Sequence, residues 1–90
     1  MRDLSGPWHA HVYFDEATAP QARALRERVA ATFDVTLGNW NADPIGPHPG
    51  CSYEIGFHSS QLGQLLPWLI QARGVLTLFV HPYTGDDLTD

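Results

Sequence analysis

Stretches that alternate every second residue are interleaved with stretches that repeat every three to four, in the order strand, helix, strand, strand, helix, strand, within ninety residues. That order limits the fold more than any other property of the chain. Trp8-His9-Ala10-His11-Val12-Tyr13-Phe14 alternates and is rich in aromatic and branched residues, so it reads as the first strand. Thr18-Ala19-Pro20-Gln21 has the form of a capping box, with Pro in the first turn, where its missing N–H costs little. Ala22, Leu25, Val29 and Phe33 then mark one face of a helix, with Arg23, Arg26 and Glu27 mostly on the other. Phe33 to Leu37 reads as a short second strand, and residues 38–50, with three Gly, three Pro and two Asn, as a loop. Ser52 to Phe57 alternates as a third strand. Ser59 or Ser60 is the expected cap of a second helix carrying Leu62, Leu65, Leu66, Leu69 and Ile70. Pro67 should bend that helix or mark where its regular part begins, and Arg73-Gly74 ends it. Residues 75–81 form the fourth strand.

The simplest way to bury both helices is one antiparallel sheet with both of them on one face. This is the ferredoxin-like βαββαβ arrangement of the α+β class. Right-handed crossovers give the strand order 4-1-3-2, with the first strand inside the sheet. Residues 1–90 are too few for more than one domain, and a core this small gains from dimerisation, closing two sheets into a dimeric α/β barrel. A net charge of -5 with no Lys argues against a nucleic-acid partner, since phosphate contacts need clustered cations. No apolar stretch has the length of a membrane span, and the first residues lack a signal-peptide core, so a soluble cytoplasmic protein is expected. The single Cys51 has no partner for an internal disulfide and no evident paired base.

Strand alternation assigns faces. Ala10, Val12 and Phe14, with Tyr53, Ile55, Phe57, Leu76, Leu78 and Val80, belong under the helices. His9, His11, Tyr13, Glu54, Thr77, Phe79 and His81 belong on the open face. Antiparallel pairing sets the start of the first strand beside the ends of its neighbours, so His9 and His11 should meet His81 on one side and the Glu54–His58 end on the other. Imidazoles suit Fe(II), Zn, Cu and Ni, and two His with one carboxylate suit Fe(II) oxygen chemistry. His11, His81 and Glu54 supply such a set, and His9 can replace any of them. His48 can fold back from its loop as a fourth ligand or as an acid/base. Tyr13 is a candidate for binding a phenolic substrate or donating a proton. His58 reads as a helix-entry residue, and Asp86 and Asp87 as turn caps.

Four motifs carry a resemblance. His9-Ala10-His11-Val12-Tyr13-Phe14-Asp15, Pro44-Ile45-Gly46-Pro47-His48-Pro49, Leu66-Pro67-Trp68-Leu69 with Arg73-Gly74, and His81-Pro82-Tyr83-Thr84-Gly85-Asp86-Asp87 resemble, in order, the DOPA 4,5-dioxygenase family of small aromatic-ring-cleaving proteins. The resemblance implies a ferredoxin-like fold, a homodimer, and extradiol opening of a catechol ring with O2. By position, His9, His11, His48 and His81 correspond to the family's histidines. The family pattern continues with a further His beyond the point where this sequence stops, at Asp90. The leading expectation is a non-haem Fe(II) extradiol dioxygenase, with Zn or another divalent metal as the alternative ion. In that reading His9, His11, His81 and Glu54 are the metal-ligand candidates, and His48 and Tyr13 the catalytic ones. The competing expectation is a non-catalytic dimeric ferredoxin-like module that binds a metal or an aromatic ligand.

Overall fold

In a computed structural model, described over residues 6–42 and 51–83, the chain forms β1 (Pro7–Phe14), α1 (Ala19–Thr32), β2 (Thr36–Leu37), β3 (Cys51–His58), a 3-10 turn (Ser59–Gln61), α2 (Leu62–Ala72) and β4 (Thr77–Pro82). The strands pair antiparallel in the order β2-β3-β1-β4, which is the expected order read from the other edge. β1 is an interior strand, with Ala10 opposite Ile55 and Val80, and Val12 opposite Tyr53 and Leu78. These residues lie on the face that both helices cover. Ala22, Leu25 and Val29 of α1 and Leu65 and Leu69 of α2 complete one core with Ala10, Val12, Tyr53, Ile55, Phe57 and Leu76. The fold is ferredoxin-like α+β, and burial of this apolar set is its main driving force.

Local chemistry sets the element boundaries. Thr18 precedes α1, but its side chain does not cap the helix. It faces back, accepting from the Asp15 N–H at 2.9 Å while its own N–H donates to Asp15 Oδ1 at 2.8 Å. The expected capping box is therefore replaced by a reciprocal Asp15–Thr18 turn, whose two short-range bonds compete directly with the cap. β2 is shorter than expected because Phe33 is still committed to the helix, its N–H bonding Val29 O at 2.9 Å. Neither Ser59 nor Ser60 caps α2: His58, the expected helix-entry residue, caps the 3-10 turn that leads into it, in a capping box with Gln61, and Gln61 stands at the N-cap of α2 without a side-chain cap bond. The His58 ring accepts from Ser60 N–H, and Gln61 Oε1 accepts from His58 N–H. The helix starts at Leu62 and continues through Pro67. Gly63, whose carbonyl loses its donor there, is exposed and can bond water instead. Gly74, at φ +57, takes the left-handed conformation that ends α2, and Leu76 N–H closes the turn onto Arg73 O. That turn delays β4 to Thr77.

The three arginines of α1 do not simply face water. Arg23 lies 4.2 Å from the centroid of Trp40, Arg26 5.2 Å from Tyr53 and Arg28 5.4 Å from Trp68. Trp40 in turn stacks on Tyr53 and packs on Phe14, so an aromatic wall closes the core beside α1.

Candidate metal centre

The uncovered face of the sheet carries the other parity. His9 stands opposite His81 and Gly56, and His11 opposite Glu54 and Phe79. His11 is only 8% exposed although no helix covers it. Neighbouring rings bury it: Phe79 and Tyr13 stack against it at 5.9 and 6.4 Å, and the His81 ring lies parallel at 4.9 Å. The three imidazoles of His9, His11 and His81 each offer a ligand atom, all within 4.8 Å of one another.

Tautomers follow from the partners. His81 Nδ1 lies 3.0 Å from Pro82 O, a carbonyl that can only accept, so Nδ1 carries the proton and Nε2 presents a lone pair. That lone pair faces His11 Nε2 at 2.8 Å. His9 Nδ1 lies 2.5 Å from Glu54 Oε1, so the carboxylate accepts from Nδ1–H and leaves Nε2 as the donor atom. Two nitrogens bound at about 2.0–2.1 Å to one ion stand about 3 Å apart when at right angles, close to the His11–His81 spacing. The donor set suits the ions that imidazole prefers, and these residues can hold a metal. A carboxylate behind a ligating imidazole is a common support, fixing its tautomer and orientation.

The structure thus brings together His9, His11 and His81, and sets Glu54 behind His9 rather than within the trio. Tyr13 flanks His11, and burial pushes its phenol pKa above the usual value. His48, Asp86 and Asp87 lie outside the described residues. Beside His9 opens a cleft of 690 Å³ whose lining includes Trp8, Asp34, Thr36, Glu54, Gly56 and Tyr83. It reaches the cluster from the β2–β3 side, since neither His11 nor His81 lines it. Gly56 forms part of its wall between His9 and Thr36: a Cβ there would make ordinary contacts, 3.9 Å from His9 Cδ2 and 3.6 Å from Thr36 Cβ. Tyr83, whose ring packs on His9 at 4.8 Å, was not among the residues picked out by alternation. Extending the β1–β4 register by one residue brings it in, for its N–H bonds Pro7 O.

Fold and site together define a ferredoxin-like protein with a histidine-rich centre on its open sheet face. The chain belongs to the Dopa 4,5-dioxygenase family, whose model matches residues 8–90. It is 38% identical to a DOPA 4,5-dioxygenase of Amanita muscaria, in a match covering 92% of this chain and 40% of that protein. It is 35% identical to an uncharacterised 21.2 kDa protein of Botryotinia fuckeliana, over 93% of this chain and 49% of that one. The chain therefore spans less than half the length of either relative. The crystal structure of a "putative dioxygenase" from Nostoc punctiforme superposes with a TM-score of 0.91 at 42% identity, covering all of this chain and 80% of that one. Among the described residues no helix is long and apolar enough to cross a membrane.

Proposed function

We propose that the chain is an extradiol dioxygenase that opens a catechol ring with O2 at a His-bound divalent metal, with Fe(II) as the ion. The observation that carries this reading is the convergence of His9, His11 and His81 on one sheet face of a chain in this family. Both oxygen atoms enter the ring-opened product, so the reaction needs no external reductant. Bound by the three imidazoles, the metal would supply Lewis-acid stabilisation of the ionised catechol and a redox route to O2.

The remaining work falls to the chain. His11 and His81 hold the ion, with nitrogens already at ligand spacing. His9 completes the trio while Glu54 fixes its ring through Nδ1. The cleft beside His9 receives the catechol between Trp8 and Tyr83, orienting it and limiting water at the reacting carbons. Tyr13 is protonated at neutral pH, as a phenol ordinarily is, burial only raising its pKa further, and it serves as a hydrogen-bond donor on the same face. We assign the acid/base role to His48, since imidazole is the side chain whose chemistry best suits proton transfer. A second copy of the chain covers the open face and encloses the site.

The test is anaerobic reconstitution with Fe(II), then addition of O2 and 4-methylcatechol. Yellow muconate semialdehyde absorbance, growing only with Fe(II) and O2 together, is the expected result. Absence of colour in protein that has bound metal would leave a metal-binding module without turnover.

A further inference from the structure

Gly38 follows β2 directly and continues its ladder with β3, opposite Glu54. Its N–H donates to Glu54 O at 2.8 Å. Among the described residues positive φ occurs at Gly74 and not at Gly38, so backbone conformation does not call for glycine there. The reason lies in what a side chain would meet. A Cβ on Gly38 would stand 3.1 Å from Glu54 Cβ and 3.5 Å from Glu54 Oε2. Carbon atoms pack at about 3.5–4.0 Å, so the first of these distances demands a shift. Gly56, which lines the same cleft, differs: a Cβ there makes only ordinary contacts.

The surroundings decide which group would give way. The Gly38 backbone is pinned from two sides, by its bond to Glu54 O and by Arg26 Nη1, which donates to Gly38 O at 3.0 Å. The Glu54 backbone is held in β3, paired with His11 of β1. The Glu54 side chain is only partly buried and is the part able to turn. Its Oε1 is the atom that accepts from His9 Nδ1, so a displaced carboxylate would release the His9 ring.

We propose that Gly38 is a positioning residue of the metal centre. By lacking a side chain it leaves the Glu54 carboxylate the room to hold His9 with Nε2 toward the ion. This rests on the metal-binding part of the reading above and extends the support of His9 to the β2 side of the cleft.

The test compares Gly38→Ala with Gly56→Ala, and Gly38→Ala with and without Glu54→Gln. Zn(II) affinity is measured by competition with a chelating dye, and the His9 tautomer in the metal-free chain by long-range nitrogen–proton NMR at alkaline pH. Gly38→Ala should lower Zn(II) affinity about tenfold, and Gly56→Ala by less than about twofold. In the Glu54→Gln background Gly38→Ala should add less than about twofold, because the carboxylate it displaces is already gone. Without metal, the parent and Gly56→Ala should keep the His9 proton on Nδ1, whereas Gly38→Ala should show both tautomers. Equal losses in the two glycine variants, the same loss with and without the Glu54 carboxylate, or a His9 tautomer unmoved by Gly38→Ala would overturn the inference. Zn(II) binding by the parent reports separately on the metal-binding reading. Where the parent binds none, the NMR comparison still decides whether Gly38 sets His9 through Glu54.

Discussion

The two faces of this sheet are made from the same strands and serve opposite purposes. On one face, Ala10, Val12, Tyr53 and Ile55 are fully buried under two helices. On the other, His11 is almost as buried with no helix over it, enclosed by the rings of Tyr13, Phe79 and His81. Burial on the first face releases apolar surface from water and stabilises the fold. On the second it holds polar rings in fixed planes. Substitutions under the helices should therefore change stability, and those on the open face should change chemistry at nearly constant stability.

The most disruptive change expected is Leu69→Ala, which leaves a cavity under α2 and should cost about 2–5 kcal/mol in denaturant unfolding. A smaller loss would place the core elsewhere. His81→Ala sharpens the contrast: metal affinity should fall by about a hundredfold, while unfolding free energy stays within about 1 kcal/mol of the parent. Equilibrium dialysis beside a urea titration checks both halves. Glu54→Gln should weaken metal binding by about tenfold, since the amide fixes the His9 tautomer less firmly. Affinity unchanged in that variant would remove Glu54 from the support of the site. Tyr53→Phe, on the core side, removes the bond from its hydroxyl to Ala22 O and should cost about 1 kcal/mol with no effect on metal binding.

The smallest effect concerns pH. The backbone N–H and hydroxyl of Thr18 hold the Asp15 carboxyl below the usual aspartate range. A lowered folded pKa means this contribution is present above the ordinary aspartate pKa and lost as pH falls through the lowered value. Asp15→Asn should therefore flatten the acid limb of a stability-versus-pH profile slightly. An unchanged limb would assign acid sensitivity to other carboxylates.

Much of this was legible in the chain because strand parity is local and antiparallel pairing is strict. His9, His11 and His81 alternate with Ala10, Val12 and Val80, so one face assignment for β1 and β4 carried all six. The short ends were less legible. Phe33 and Leu76 look like strand residues but are held in turns by bonds to Val29 O and Arg73 O, which alternation does not encode. The placement of Arg23, Arg26 and Arg28 on aromatic rings was also hidden, because their partners lie far away in sequence. In the site, Glu54 was visible as a carboxylate near the histidines. Its place behind His9, rather than among the three nitrogens, depends on side-chain conformation that spacing alone does not set.

The central claim is that the open face binds a metal through imidazoles on two strands. Metal content after reconstitution with Fe(II) under anaerobic conditions, compared among the parent chain, His11→Ala and His81→Ala, tests it most directly. The account predicts about one ion per parent chain and little retained in either variant, with all three proteins folded by circular dichroism. Equal metal in the parent and both variants, or none in the folded parent, would contradict it.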